Sequence, residues 1–169
     1  MKNLEQYLEA LKHKDEEAFT SVYNETKYAV YSLILSIIKD RNLAQDIMQE
    51  TYITMLEKID SYRPGSNFRN WLLTISRNKA IDYYRKKQRE ELIDPDVLQI
   101  SSSPVGEEAT LLSEVLELLN QKERSILLLY IVQNYKHREI AEILGLPLGT
   151  VLWLYQKALK KIRKYWKER

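Results

Sequence analysis

Residues that interrupt helices are scarce in this chain, and this scarcity limits the folds that it can adopt. Glycine and proline occur four times each among 169 residues, and apolar residues recur mostly three or four positions apart. That spacing places apolar side chains on one face of an α-helix, and the alternation typical of strands is absent. The sequence therefore predicts an all-α protein. The predicted helices are Leu4–Leu11, Asp15–Lys39, Leu43–Ser61, Arg69–Arg89, Glu108–Leu119, Gln121–Gln133, Lys136–Leu144 and Leu148–Lys167.

One segment breaks the helical pattern. Residues 93–108 read IDPDVLQISSSPVGEE, which combines two prolines, a glycine, three serines and four acids. This composition is typical of a linker between domains. We therefore predict two small helical domains, residues 1–90 and 109–169, joined by an acidic flexible linker at 91–108.

Charge is distributed in blocks along the chain. The net charge is −4 over residues 1–60, +6 over 61–90, −7 over 91–123 and +7 over 124–169, so the overall value of +2 conceals the pattern. Two basic blocks separated by an acidic one indicate two surfaces for a polyanion, with a segment that repels or mimics it. The alternative is that these are solvated lysines on helix faces that bind no partner.

Several classes of protein are disfavoured by the composition. The absence of cysteine removes disulfides and thiolate zinc sites and fits a reducing compartment. The longest apolar run, Ala29–Ile38, is half the ~20 residues that a membrane span needs, and the N-terminus is acidic. His13 and His137 are far apart and lack ligand spacing, and no phosphate-binding or nucleophile motif is present. We expect a cytoplasmic protein without membrane insertion, metal, cofactor or enzyme activity.

The segment REIAEILGLPLGTVLWL, residues 138–154, has the pattern of a helix-turn-helix. Ala141 is small enough for two helices to cross closely, and Gly145 permits the positive φ of the turn. Val151 and Leu154 are expected to face the core. Such a motif places its second helix against the major groove of DNA, while basic residues contact phosphates. The alternative is an ordinary helical hairpin within a bundle.

The second helix of this motif carries an unusual residue on its basic face. At about 100° per residue, Lys157, Lys160 and Lys164 lie opposite the apolar stripe, and Trp153 falls among them. Helices that read bases normally offer Arg, Lys, Asn, Gln or Ser at such positions. Trp153 and Leu152 offer only methyl contact, stacking and one indole N–H.

The first domain holds a second candidate nucleic-acid surface. Residues 62–71, YRPGSNFRNW, combine a Pro-Gly turn with three aromatic residues, two arginines and two asparagines. Single-stranded nucleic acid is bound by such mixtures, because bases stack on rings while arginine holds phosphate. The alternative is that Phe68 and Trp71, and also Tyr62, belong to the core. On the preceding helix, Asp46, Gln49 and Glu50 lie off the apolar stripe and form a candidate docking surface.

These blocks, in this order and at this separation, resemble a bacterial RNA polymerase sigma factor of the extracytoplasmic-function group of the sigma-70 family. The resemblance runs from Asp15 to Lys164. The sequence DIMQETY resembles region 2.2 of that family, and YRPGSNFRNWLLTISRNKAIDYYRKK resembles regions 2.3 and 2.4. The sequence LNQKERSILLLYIVQNYKHREIAEILGLPLGTV resembles region 4.

The resemblance implies a transcription initiation factor that binds core RNA polymerase and directs it to promoter DNA, with an anti-sigma factor as a further partner. The acidic linker would thread the polymerase channel. The implied polymerase-binding residues are Asp46, Gln49 and Glu50. The implied residues for recognition and opening of the −10 element are Tyr62, Arg63, Ser66, Asn67, Phe68, Trp71, Arg77, Asn78, Lys79 and Arg85, with Tyr62 and Asn78 near a flipped base. The implied −35 residues are His137, Arg138, Thr150, Leu152, Trp153, Gln156, Lys157 and Lys160.

The sequence departs from the family just after GTV. The family usually carries a basic residue, a serine and an arginine on the exposed part of the recognition helix, where this chain has Leu152, Trp153 and Leu154. Two interpretations remain open for Leu152 and Trp153. They contact thymine methyls or sugar edges of the −35 element, or they contact a protein such as an anti-sigma factor.

Two other functional classes also remain. A DNA-binding regulator that acts without polymerase explains the helix-turn-helix but not the aromatic loop. A stand-alone single-strand binder explains the loop but not the two-domain organisation.

Overall fold

A computed structural model describes residues 3–93 and 114–168 of the chain. Within these ranges the regular structure is entirely helical and contains no strand, which confirms the all-α prediction. Most of the predicted linker, from residue 94 to 108, lies outside the described residues. The chain divides into two compact units, Met1–Tyr83 and Tyr84–Arg169.

Four α-helices follow one another from the N-terminus to residue 93. They are α1 (Leu8–Lys12), α2 (Glu16–Ile38), α3 (Arg41–Glu57) and α4 (Phe68–Ile93), with short 3-10 turns at Leu4–Tyr7 and Ile59–Ser61. The helix predicted over Leu43–Ser61 is therefore α3 followed by a separate turn. The last helix continues to Ile93, four residues beyond the predicted end.

Local capping explains where α2 and α3 begin. The Asp15 carboxylate accepts the Ala18 N–H at 2.7 Å, and the Asp40 carboxylate accepts the Leu43 N–H at 3.0 Å. Each bond satisfies one of the orphan donors in a first helical turn. Lys39, at φ 60°, ends α2 in the left-handed conformation, so the chain reverses at once into α3. The two helices pack against each other, and their buried residues include Val30, Leu33, Ile34, Ala44, Ile47 and Met55.

The described part of the second unit contains the end of α4 from Tyr84, a helical stretch at residues 114–117 and three further α-helices. They are α5 (Gln121–Leu127), which continues as a π-helical turn over Leu128–Val132, then α6 (His137–Leu144) and α7 (Leu148–Lys167). Asn120 and Glu123 form a capping box at the start of α5. The core residues that these helices bury are Ile126, Leu129, Ile140, Ile143, Val151 and Ala158.

The turn between α6 and α7 has the predicted conformation. Gly145 ends α6 at φ +61°, a left-handed conformation that favours glycine. The N–H groups of Gly145 and Leu146 donate to the carbonyls of Glu142 and Ala141 at 3.2 and 2.9 Å. Val151 is fully buried, as expected for the core face of the second helix.

An ion pair between a buried carboxylate and a partly exposed lysine joins α5 to α7. The Glu123 side chain is fully buried, and its Oε2 accepts the Lys161 ammonium at 2.6 Å and the Asn120 N–H at 2.9 Å. One carboxylate therefore caps α5 and holds α7 against it. This contact fixes the helix that carries Trp153.

Candidate nucleic-acid and docking surfaces

A tight turn forms the tip of the loop between α3 and α4. Pro64 and Gly65 occupy its central positions, and the Ser66 N–H donates to the Arg63 carbonyl at 3.2 Å. Gly65 has φ +82°, which together with the preceding proline defines a type II turn. The Ser66 hydroxyl donates to the same Arg63 carbonyl at 2.6 Å. The four residues of the tip are exposed, and their backbone is held in one shape.

Asn67 ends the loop and caps α4. It has φ +68°, and its side-chain oxygen accepts the Asn70 N–H at 3.3 Å. Asparagine tolerates this left-handed conformation better than most residues, which explains its position at the corner. Asn67 is exposed and lies beside Ser66 at the surface of the loop.

An aromatic cluster supports the loop from beneath. The ring of Tyr62 lies 5.2 Å from both Phe68 and Trp71, and those two rings are 5.5 Å apart. Tyr62 is only 6% exposed and Phe68 is buried, whereas Trp71 is half-buried. The alternative that these rings belong to the core therefore holds for Phe68 and Tyr62. Of the three rings, Trp71 has the largest share of its surface open to a ligand.

Glu5, from the N-terminal 3-10 turn, joins this loop. Its carboxylate oxygen accepts the Tyr62 phenol and also the Gly65 N–H, the latter at 2.8 Å. Burial, followed by the bond to Glu5, raises the pKa of Tyr62. Glu5 was absent from the sequence-based site, because it lies about sixty positions from the loop and no local motif connects them.

The basic residues of α4 have different degrees of exposure. Arg85 and Asn78 are exposed, while Arg77 and Lys79 are half-buried, and Arg77 donates to the Asn78 side-chain oxygen at 3.1 Å. Arg69, which is not among the predicted site residues, has a structural contact. Its guanidinium donates to the Glu25 backbone carbonyl at 2.8 Å and lies 3.3 Å from the Glu25 carboxylate.

The three residues of the docking surface predicted on α3 differ in their exposure. Asp46 and Gln49 are exposed. Glu50 is half-buried and accepts the Tyr83 phenol at 2.5 Å, and its carboxylate lies 3.6 Å from the Lys79 ammonium. The hydrogen bond to Glu50 raises the pKa of Tyr83. Glu50, predicted for polymerase docking, and Lys79, predicted for DNA, are thus in direct contact.

Ile53 is a further candidate on the α3 surface. It lies one helical turn after Gln49 and is 56% exposed, although its neighbours Tyr52 and Met55 are buried. The core of a protein interface is depleted in charged residues, so an exposed isoleucine beside the predicted docking residues suits such a contact. Helical spacing from Asp46 and Gln49 would have found it, because residues three or four apart share a face.

On the exposed face of α7, an aromatic residue lies among basic side chains. Trp153 is 59% exposed and Leu152 is 44% exposed. The Lys157 ammonium lies 4.7 Å from the centroid of the Trp153 ring, a cation–π contact. Gln156 and Lys160 are exposed on the same helix.

Leu154 is buried, as its helical spacing predicts. It is only 6% exposed, although the family residue at this position lies on the exposed part of the recognition helix. Its side chain faces the core because it follows the buried Val151 by three positions, nearly one turn. The departure from the family at the surface is therefore confined to Leu152 and Trp153.

His137 lies in an aromatic cluster. Its ring stacks on Tyr130 at 4.2 Å and meets the edge of Tyr155 at 4.8 Å. Its Nε2 is buried and has no hydrogen-bond partner among the residues that the structure describes. In this arrangement His137 packs α6 against α7. Arg138 is exposed and Thr150 is half-buried, so both retain surface that a ligand can reach.

Within residues 3–93 and 114–168, no three His, Asp or Glu side chains are grouped as metal ligands. In the same ranges, every helix is too short or too polar to span a membrane.

Comparison with known proteins identifies both halves of the chain. The profile of Sigma-70 region 2 matches residues 22–90, and that of Sigma-70, region 4, matches residues 109–162. The chain is 34% identical to the ECF RNA polymerase sigma factor EcfG of Rhodopseudomonas palustris, over 76% of this chain and 74% of that protein. It is 30% identical to the RNA polymerase sigma factor YlaC of Bacillus subtilis, over 91% of this chain and 94% of that protein.

Solved structures share the fold. The sigma factor RpoE of Bartonella quintana, crystallised in complex with the anti-sigma factor NepR, aligns with a TM-score of 0.77 and 23% identity over 88% of this chain and 96% of that one. CnrH, in complex with the cytosolic domain of CnrY, aligns with a TM-score of 0.73 and 20% identity over 96% of each chain.

Proposed function

Because this chain belongs to the extracytoplasmic-function group of the sigma-70 family and is a promoter-specific transcription initiation factor, we propose which of its residues carry out each step. The observation that carries this proposal is the ordered loop at residues 62–67. It has an exposed polar tip, an aromatic floor and a neighbouring basic helix. Such a site suits a base that has left the stack.

The loop and α4 are proposed to open and hold the −10 element. An unpaired base would contact the exposed Ser66, Asn67 and Asn78 side chains and the solvent-exposed part of the Trp71 ring. Tyr62 and Phe68, which are buried, would support the loop and not meet the base directly. The step needs no covalent chemistry, since a better environment for the base offsets an unstacking cost of a few kcal/mol. This is also why we propose that the chain is not an enzyme.

Phosphate contacts are assigned to the basic side chains around this site. They neutralise the DNA backbone without reading sequence, so they contribute affinity and salt dependence. The proposed residues are Arg63, Arg77, Lys79 and Arg85.

The exposed face of α3 is proposed to bind core RNA polymerase. Asp46 and Gln49 would provide the polar part of the contact, and Ile53 its apolar centre. Glu50 belongs to the same face, but its contacts with Lys79 and Tyr83 also give it a role in positioning α4. A protein that acts on polymerase and promoter DNA works where the chromosome is, so we infer a cytoplasmic location.

The exposed face of α7 is proposed to read the −35 element. The lysines around Trp153 favour a polyanion over a neutral protein surface, so we assign Trp153 and Leu152 to DNA. Arg138, Thr150, Gln156, Lys157 and Lys160 complete the proposed −35 set, and His137 supports it through its aromatic neighbours. An anti-sigma factor is proposed as a further partner, as in the complex of RpoE with the anti-sigma factor NepR.

Domain limits of 1–90 and 109–169 are proposed for these two activities, with the acidic segment 91–108 threading the polymerase channel. Run-off transcription with core RNA polymerase and a promoter library tests the whole assignment. Initiation at a defined subset of promoters, only when this chain is added, is expected. Tight and specific binding of operator DNA by the chain alone, without stimulation of polymerase, would refute it.

A further inference from the structure

We propose that Glu5 is a positioning residue that holds the loop at residues 62–67 in the shape that captures an unpaired promoter base. The proposal rests on the function proposed above. Its basis is that one carboxylate oxygen of Glu5 accepts hydrogen bonds from both sides of the turn, from the Tyr62 phenol and from the Gly65 N–H.

The bond to Gly65 selects the type of turn. Type I and type II turns differ chiefly in the orientation of their central peptide, which here is the one between Pro64 and Gly65. The N–H of that peptide points to Glu5 at 2.8 Å, and the resulting turn has Gly65 at φ +82°. If the peptide flipped, the N–H would lose its acceptor. Glu5 therefore stabilises the type II form and fixes the direction of the exposed Pro64 carbonyl and Ser66 side chain.

The bond to Tyr62 connects the turn to the aromatic floor. Tyr62 packs on Phe68 and Trp71, and its hydroxyl meets the same carboxylate that holds Gly65. The Glu5 side chain thereby sets the distance between the turn and the aromatic rings of the cluster. Small errors in such spacing weaken contact with a ligand base, because stacking and hydrogen bonding require close approach.

Glu5 is itself held independently of the loop. Leu4 and Leu8 flank it and are buried, and the Glu5 N–H donates to the Asn3 side-chain oxygen at 3.0 Å. The carboxylate is thus presented from a packed segment. An acidic side chain next to a surface for DNA opposes binding by charge repulsion, so its presence needs a compensating role such as this one.

The test compares variants of the full chain assembled with core polymerase. Glu5→Ala removes both bonds, Glu5→Gln keeps an oxygen acceptor without the charge, and Tyr62→Phe removes one bond and leaves the ring. Glu9→Ala is the matched control, since Glu9 is an exposed carboxylate of the same segment that pairs only with Lys12 among the contacts described. Open-complex formation is measured on promoters in which each −10 non-template base is replaced, one at a time, by an abasic site.

We expect Glu5→Ala to slow opening of the intact promoter by about tenfold, the effect of losing hydrogen bonds to a charged group that is half-exposed. The penalty for the abasic site at the captured position should shrink in Glu5→Ala and in Tyr62→Phe, and the two substitutions should not be additive. Glu5→Gln should recover most of the loss. Glu9→Ala should behave as the parent chain does.

Three results would overturn the proposal. Glu5→Ala could match Glu9→Ala, or it could lose activity while keeping the full abasic-site penalty, which would indicate a general structural role. Alternatively, Glu5→Ala and Glu5→Gln could both increase opening, which would indicate charge repulsion alone. If Glu5→Ala is unfolded at the assay temperature, Tyr62→Phe replaces it, and a full abasic-site penalty in that variant overturns the proposal. Failure of the parent chain to initiate transcription would instead refute the function itself.

Discussion

Replacing Trp153 by alanine tests how this chain recognises the −35 element. Trp153 is 59% exposed, and its described contact is the Lys157 ammonium 4.7 Å from the ring. The substitution should therefore leave the fold intact and remove a surface for DNA. It also releases Lys157 from the ring, so the lysine loses its fixed position on the basic face.

The size of the effect follows from the exposed area. A tryptophan side chain has up to ~250 Å² of surface, so about 150 Å² of it is open here, and a groove wall would cover roughly half of that. At about 25 cal/mol per Å², burial of this area contributes about 2 kcal/mol. We expect binding of a −35 duplex by the holoenzyme to weaken by roughly thirtyfold or more.

The assay uses thymine methyls as a chemical probe. Each −35 thymine is replaced in turn by uracil, which keeps the hydrogen-bonding edge and removes only the C5-methyl group. In the parent chain one or two positions should show a clear loss of transcription at limiting protein. In Trp153→Ala the same uracil substitutions should have little further effect, because the methyl has lost its partner.

Trp166→Ala is the matched control for this experiment. Trp166 is on the same helix, has a similar exposure of 54% and lies outside the proposed −35 set. Loss of transcription in both tryptophan variants would indicate a non-specific effect of removing the ring. Unchanged transcription in Trp153→Ala would refute the DNA assignment, and weakened binding of an anti-sigma factor by that variant would then support the protein alternative.

Three other substitutions test the docking surface and the fold. Ile53→Lys should weaken binding to core polymerase by about tenfold or more in a competition assay without lowering the melting temperature, because a charge enters the apolar centre of the contact. Tyr28→Lys, which changes an exposed aromatic residue on α2, should leave polymerase binding unchanged. Equal losses of binding in the two variants would contradict the assignment. Lys161→Met should lower the free energy of unfolding by about 1–3 kcal/mol in urea, since the fully buried Glu123 loses its cation, and a change below ~0.5 kcal/mol would show that the pair contributes little. Gly145→Ala should cost about 1 kcal/mol in the same measurement, because φ is +61° there, and an unchanged midpoint would argue against this turn.

The helices could be predicted from the sequence because their causes are local. Periodic apolar residues, capping aspartates and the left-handed Gly145 act within one or two turns. The predicted elements that fall wholly within the described residues agree with the structure to within a few residues, while the first half of the helix predicted over Glu108–Leu119 lies outside those residues. The same local reasoning identified the residue types that suit unpaired bases and phosphates. It could not decide which of them are exposed, since burial depends on the partner helix. Tyr62 and Phe68 show this limit, because both are buried although their motif also allowed them to contact bases.

The contacts that sequence reasoning missed are long-range ones. Glu5 reaches Tyr62 across 57 positions, and Tyr83 reaches Glu50 across 33. Neither pair has a sequence signature, because a hydrogen bond between distant residues needs only a matching donor and acceptor once the fold has brought them together.

The position of Glu50 has a consequence for mutational tests of polymerase docking. Its carboxylate lies within 3.6 Å of Lys79 and accepts a hydrogen bond from Tyr83, so its removal disturbs α4 as well as the α3 surface. A loss of transcription in a Glu50 variant therefore combines weaker docking with altered −10 contacts. Asp46 and Gln49 are exposed on the same face of α3. Because their side chains lie at the surface, variants at these two positions measure docking more directly than variants at Glu50.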